Sequence, residues 1–433
     1  MTSDGVLVLS RVRCFDPQRD LDEIVDVVIE RGVITRLGKG AATDEIRGAT
    51  DVRVIDGAGL LAVPAFVDLH AHLREPGEEY KEDIRSGLLA AARGGFAHVC
   101  AMPNTKPVND RRAVTEAIVA RAKELGGPRL HPIGAITMGQ RGEELTEMAD
   151  LREAGAVGVS DDGRCVMNAA VMQKALEYAR TFDLPVIQHA EDHNLTAGAQ
   201  MHEGAVATKL GLKGWPRVAE DIIVARDVLL AEATGARYHL AHVSTKGAVR
   251  IIREAKARGI RVSAEVTPHH LLLTHEAVLG YDTACKVNPP LREEEDVAAL
   301  RAALADGTID AIATDHAPHS SLEKDCEFAE AKPGLVGLEL VVPTLYELVR
   351  NGDLPLRRFV EALTGAPSKV IALESPTLRE GARAELALLD VERPFKVSGL
   401  LSKSKNTPFW GKELRGAVVM TWAGGRIAFD ALG

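Results

Sequence analysis

A chain of 433 residues, 46% hydrophobic and 26% charged, is long enough to bury one large core and a smaller one. Its formal charge of −10 argues against a nucleic-acid backbone as partner, yet leaves room for a small anionic substrate at a locally positive site. The five cysteines, Cys14, Cys100, Cys165, Cys285 and Cys326, form no Cys-x-x-Cys pair, which argues against a disulfide framework or a zinc knuckle.

The N-terminal MTSDGVLVLSRVRC lacks the basic and apolar regions of a signal peptide. The best apolar run, GLLAVPAFV, is far short of the ~20 residues that span a bilayer. A cytoplasmic protein, without membrane or nucleic-acid partners, is the expectation. In the first 60 or so residues, GVLVLSRVRCFDP, DVVIERGVITRLGKG and VRVIDGAGLLAVPAF are short Val/Ile/Leu runs split by Gly, Asp and Pro, the texture of strands. AELALLDVERPF and LRGAVVMTWAGGRIAF repeat it near the C-terminus, and Arg31-Gly32 and Gly424-Gly425 stand where hairpin turns would need them. Residues 1–62 and 371–433 are therefore expected to build one small β-sandwich domain from both chain ends.

Between them the rhythm changes. Eight apolar runs recur: AFVDLHAHL, AHVCAMPNT, LHPIGAIT, AVGVSDDG, PVIQHAED, YHLAHVST, RVSAEVTPHHL and IDAIATDHAPH. Amphipathic stretches such as KEDIRSGLLAAARGG, RRAVTEAIVARAKELG and TKGAVRIIREAKARG separate them. The alternation predicts an α/β fold, a (β/α)8 TIM-like barrel over residues 63–370, with a doubly wound open sheet as the competing arrangement.

Functional residues of such barrels collect at the C-terminal ends of strands. Here those ends carry His70 and His72 (strand one), Asp161-Asp162 (four), His189 (five), His242 (six) and Asp315 (eight). A single strand-end histidine is ordinarily a hydrogen-bonded core group. Four of them with two carboxylate positions predict instead one or two divalent ions, zinc foremost, because imidazole and carboxylate are its catalytic ligands. Of the two neighbouring aspartates only one can face the barrel axis. His98, His131, His193, His202, His239 and His275 read as structural or surface groups, and His269 and His270 as candidates for supporting the site.

DLHAHLREPG, MPNT, SDDG, HVST, NPPLR, ATDHAPH and the closing LSKSKNTPFWG resemble the amidohydrolase superfamily, and within it the bacterial dihydroorotases that carry an aspartate in place of the carboxylated lysine on strand four. The resemblance implies that His70, His72 and Asp315 ligate one ion, that His189 and His242 ligate a second, and that Asp162 bridges them. It also implies Arg74, Asn104 and His319 around a substrate carboxylate, with Asn288 and the backbone near Pro333 and Gly334 around a pyrimidine ring.

The implied reaction is the reversible cyclisation of N-carbamoyl-L-aspartate to dihydroorotate, with Asp315 shuttling the proton. A plain surface reading of Arg74 is an ion pair with Glu75 or Glu78. The rival functions are another cyclic-amide hydrolase, of allantoinase or dihydropyrimidinase type, and an inactive structural subunit of aspartate transcarbamoylase. The expected assembly is a homodimer, with association with that transcarbamoylase left open.

Overall fold

The structure is a computed structural model describing residues 5–49 and 51–433. Eight parallel strands, Phe66–Ala71, Phe96–Ala101, Arg129–Gly134, Gly158–Ser160, Val186–Gln188, Tyr238–Leu240, Val262–Val266 and Ala311–Ile312, pair in chain order. Each lies within one of the eight apolar runs, or begins one residue ahead of it. All six residues of the first strand are buried, as expected where one face packs inside the barrel and the other under helices. The amphipathic stretches form the helices Ile84–Arg93, Arg112–Leu125 and Lys246–Ala257. The first begins in a capping box between Asp83 and Ser86, which satisfies backbone donors of the opening turn.

Closure distinguishes a barrel from an open sheet, and here side chains complete it. Strands one and eight share only a single bridge, Ala71 to His316, with the His72 N–H donating to the His316 carbonyl at 2.8 Å. Buried Asp68, on strand one, accepts from Thr314 twice, at 2.9 Å from its N–H and 2.6 Å from its hydroxyl. Burial pushes the Asp68 carboxyl up to about 6, against the pull of those Thr314 hydrogen bonds. The first and last strands, at whose C-terminal ends His70, His72 and Asp315 stand, are thus fixed to each other.

The chain ends build one mostly antiparallel eight-stranded sheet. Val6–Asp16, Leu21–Glu30, Val33–Gly38, Val52–Asp56 and Leu61–Pro64 come from the first part, and Leu386–Lys396, Glu413–Ala423 and Arg426–Asp430 from the last. The two sets join where Leu61–Pro64 pairs antiparallel with Leu386–Lys396. Val6–Asp16 pairs in parallel with Val52–Asp56 and Leu61–Pro64.

Both expected hairpin turns are present, with φ of 49° and 75° at Arg31 and Gly32 and 56° and 79° at Gly424 and Gly425, the left-handed pair of a two-residue turn. These turns belong to strands at opposite edges of the sheet, yet they touch. A β-carbon on Gly425 would lie 2.7 Å from the Gly32 carbonyl oxygen. The sheet therefore curls over its own core of Leu9, Val12, Val27, Ile34, Leu388 and Trp422.

All five cysteines are free, and only Cys326 is exposed. Among the described residues no helix is long and apolar enough to cross a membrane.

Gly425→Ala adds a methyl group to this contact and strains a left-handed position. It should lower unfolding stability by roughly 1–3 kcal/mol and leave metal content unchanged. Chemical denaturation of the two proteins checks this, and equal midpoints would mean the turns are free to part.

Candidate metal centre

Strand geometry accounts for the cluster at the barrel mouth. His70 and His72 are two residues apart, so both face the axis, and their rings lie 5.3 Å apart. Asp162 stands opposite. Its Oδ1 lies 3.2 Å from His70 Nε2, 3.5 Å from His242 Nε2 and 3.8 Å from His189 Nδ1, while Oδ2 lies 3.4 Å from His72 Nε2. Asp315 Oδ1 is 3.2 Å from His72 Nε2 and 3.6 Å from His70 Nε2. Asp161 turns away, accepting from the N–H groups of Ile136 (2.8 Å) and Thr137 (3.0 Å) and from the Thr137 hydroxyl. It caps the end of strand three.

The outward nitrogens of these imidazoles are already engaged. His70 Nδ1–H donates to Glu265 at 2.7 Å, His72 Nδ1–H to Asn104 Oδ1 at 2.8 Å and His189 Nε2–H to Glu191 at 2.9 Å. That fixes the tautomers and leaves lone pairs on His70 Nε2, His72 Nε2 and His189 Nδ1, all aimed inward. His189 Nδ1 and His242 Nε2 are 2.9 Å apart. His70 Nε2 and Asp162 Oδ1 are buried without a hydrogen bond.

Lone pairs that converge on a buried carboxylate fit a cation. Two groups sharing Asp162, His70–His72–Asp162 and Asp162–His189–His242, have ligand spacing. Burial opposes the charge on Asp162 and Asp315, yet positive charge on the neighbouring imidazoles, in the place a cation would take, holds both carboxyls below the usual range.

Glu265 escaped the sequence reading. It is buried inside the barrel, accepting from His70 Nδ1 and, at 3.1 Å, from His239 Nε2. Although burial raises its pKa, these two imidazoles bring it down to about 2. His239, expected to be structural, thus orients the carboxylate that orients a candidate ligand. The available signal was a glutamate within a strand whose neighbours Ala264 and Val266 are fully buried.

Arg74 begins the next layer. It is only 7% exposed, and among the described residues no carboxylate oxygen comes within 4.0 Å of its guanidinium. Glu78 pairs instead with Lys81 (3.1 Å) and Lys106 (2.7 Å), and Glu75 with Arg121 (3.3 Å), so the surface ion pair does not form. Arg74 Nε–H donates to the Pro318 carbonyl at 3.2 Å, and Nη2 lies 3.4 Å from His319 Nε2.

Burial, reinforced by Arg74, drives His319 down to about 2, so the ring is neutral and donates to the Pro333 carbonyl at 2.9 Å. The Gly334 N–H donates to the Lys286 carbonyl at 2.8 Å, so that donor is already engaged. Asn288 is half-buried nearby in sequence. Three of these residues sit in left-handed backbone, Arg74 (φ 61°), His242 (34°) and Asp315 (45°), and strain of that kind gathers at functional sites.

The remaining histidines are mostly structural. His98 bridges His131 (2.9 Å) and Glu385 (3.1 Å), and His270 joins Thr267 to the Pro289 carbonyl. His269 is buried near Asp315, His242 and His70. His202, His275 and Glu293 also have ligand spacing. Arg292 Nη1 lies 3.2 Å from His202 Nδ1 and Arg217 2.6 Å from Glu293 Oε2, while Glu293 Oε1 lies 3.9 Å from His202 Nε2, and His202 Nε2 and His275 Nδ1 are buried without a hydrogen bond.

A family model described as Dihydro-orotase-like matches residues 59–248. A curated dihydroorotase of Pelobacter propionicus is 51% identical over 98% of this chain and 99% of its own length. Another, of Anaeromyxobacter dehalogenans, is 52% identical over 98% of each.

The chain belongs to the dihydroorotase family.

Among solved structures, L-hydantoinase (dihydropyrimidinase) of Arthrobacter aurescens superposes with a TM-score of 0.86 over 99% of this chain and 96% of its own, at 23% identity. D-hydantoinase (dihydropyrimidinase) of Thermus sp. gives 0.80 over 98% and 95%, at 24%. Those likenesses carry the barrel fold alone. As a member of the dihydroorotase family, the chain is a cyclic amidohydrolase, and its barrel mouth carries His and Asp groups that could hold a metal ion.

With no lysine at the end of strand four, ion binding should not depend on bicarbonate. Asp162→Ala should strip at least one ion, whereas Asp161→Ala should act more mildly by loosening strand three. Metal analysis of both variants, prepared with and without bicarbonate, tests this. Loss of metal from Asp161→Ala and retention by Asp162→Ala would reverse the assignment.

Proposed function

We propose that this chain is a dihydroorotase, interconverting N-carbamoyl-L-aspartate and (S)-dihydroorotate plus water in de novo pyrimidine biosynthesis. The observation that carries the choice of substrate is Arg74, a buried guanidinium with no carboxylate of the described residues against it. A buried unpaired charge is costly, and a carboxylate-bearing ligand supplies the two-pronged acceptor that a guanidinium fits. Allantoinase- and dihydropyrimidinase-type substrates lack a carboxylate at that ring position. All six donor residues, His70, His72, Asp162, His189, His242 and Asp315, meet at the barrel mouth, which speaks against an inactive structural subunit.

The residues divide the work. His70, His72 and Asp315 would hold one ion, His189 and His242 a second, with Asp162 between. Zinc is the ion this nitrogen and oxygen set suits best. Bound there, it acidifies a water and polarises the ring carbonyl under attack. Arg74, Asn104 and His319 would seat the substrate carboxylate, with Asn288 and the backbone at Pro333 and Gly334 beside the ring.

In the hydrolytic direction the bond between the ring carbonyl carbon and its amide nitrogen breaks, and oxygen from water joins the carbon. Asp315 takes the proton from that water and delivers it to the departing nitrogen. The new carboxylic acid ionises, so each turnover releases one proton, and ring closure consumes one. Residues 63–370 would form the catalytic unit, flanked by 1–62 and 371–433. The family resemblance supports a cytoplasmic homodimer, open to association with aspartate transcarbamoylase.

Dihydroorotate turnover by the purified protein, measured beside its zinc content, tests the whole reading. Asp315→Asn should keep the fold and lower turnover by roughly 10²–10⁴-fold, or further if metal is lost. Near-normal turnover would remove Asp315 from the chemistry. Arg74→Lys should impair dihydroorotate hydrolysis sharply, because lysine lacks the planar fork. It should affect dihydrouracil, the same ring without the carboxylate, much less. Equal losses on both would mean that Arg74 acts through structure.

A further inference from the structure

Residues 401–406, just ahead of the last hairpin of the terminal sheet, run between the loops at the barrel mouth. The Ser402 hydroxyl and the Lys403 N–H (3.1 Å) donate to buried Glu82, and the Ser404 hydroxyl donates to the Lys81 carbonyl at 2.7 Å. Asn406, 8% exposed, engages both ends of its amide. Its Oδ1 accepts the His319 N–H at 3.1 Å, and its Nδ2 donates to the carbonyls of Ala317 and Gly334, each at 3.0 Å. Its own carbonyl accepts the Val336 N–H at 2.9 Å.

One side chain therefore clamps two loops that are not neighbours in sequence. The first is the turn after strand eight, where Ala317 and His319 flank Pro318, and the Pro318 carbonyl receives Arg74. The second carries Pro333 and Gly334, and the Pro333 carbonyl receives His319. The loops approach so closely that a β-carbon on Gly334 would lie 2.6 Å from that of Ala317. Both partners of the Arg74–His319 pair hang from backbone that Asn406 holds.

We propose that Asn406 is a positioning residue for the substrate carboxylate: it sets the spacing between the strand-eight turn and the Gly334 loop, and through it the placing of Arg74 and His319. The proposal rests on the reading of Arg74 as the carboxylate anchor. The chemistry is demanding, because one acceptor and two donors on a single planar group are needed. Aspartate offers no donors when ionised, and serine is too short to reach both loops.

The test uses Asn406→Asp, which keeps the size and the acceptor for His319, and Asn406→Ser. Wild type and variants are compared for kcat and KM on dihydroorotate and on dihydrouracil, with metal content and melting temperature measured alongside. Loss of these hydrogen bonds should raise KM for dihydroorotate about tenfold or more. Values for kcat, metal content and kcat/KM on dihydrouracil should stay within roughly threefold of wild type. An unchanged KM would overturn the proposal. So would parallel losses on both substrates with a falling melting temperature, which would mark Asn406 as merely structural. A wild type inert towards dihydroorotate would overturn the functional reading and this proposal together, a result distinct from variants that match an active wild type.

Discussion

A carboxylate enclosed by imidazoles inside a protein is stable only if its charge is balanced and its lone pairs are used. Asp162 is such a carboxylate, with nitrogen atoms of His70, His72, His189 and His242 all within 3.8 Å. Its demands organise the layers outside it. The inward lone pairs exist because Glu265, Asn104 and Glu191 occupy the outward nitrogens, so the carboxylate, the imidazoles and their partners are arranged as a unit that could hold a cation. Strand closure then decides whether the unit can form, because His70 and His72 lie on the first strand and Asp315 follows the last. Asp68 holds those two strands together through Thr314.

The fold divides its labour between the layers. The barrel strands bring the ligands into register, while the strained turns at Arg74, His242 and Asp315 aim individual groups. Such backbone persists only where surrounding contacts over-determine it, and here the contacts are visible. His316, next to Asp315, takes the His72 N–H on its carbonyl and pairs its ring with Glu82 at 3.2 Å. Glu82 in turn is bonded by the chain's closing segment. The candidate metal ligands and the closing segment thus draw on the same buried acid, Glu82.

Much of this was legible from sequence because period and spacing encode it. The eight apolar runs mark the eight strands, and the His-x-His pair shares a face as strand alternation requires. The same alternation predicts that one aspartate of Asp161-Asp162 must leave the site, and Asp161 does so. What escaped depends on contacts that closure creates. Glu265 meets His70 across 195 positions, Asp68 meets Thr314 across 246 and Asn406 meets His319 across 87. Local pattern marks such residues only weakly, since a glutamate in a strand or an asparagine near the C-terminus has many ordinary readings. The unpaired state of Arg74 is likewise a property of the packed molecule, for in sequence it stands beside Glu75 and near Glu78.

The terminal sheet has a consequence for how the protein is made. Leu61–Pro64 finds its antiparallel neighbour, Leu386–Lys396, only after on the order of 300 further residues have been added, which takes tens of seconds at ribosomal rates. Through that interval the nascent chain carries a bare strand edge, the kind that recruits other chains. The segment 401–406 that braces the barrel mouth follows every barrel strand in the chain, so it emerges after all of them. A barrel whose strands have already paired therefore still waits for residues 401–406 before the loops at its mouth are clamped. A ribosome that stalls between the last barrel strand and residue 401 would leave paired barrel strands whose mouth loops lack the hydrogen bonds of Ser402, Ser404 and Asn406.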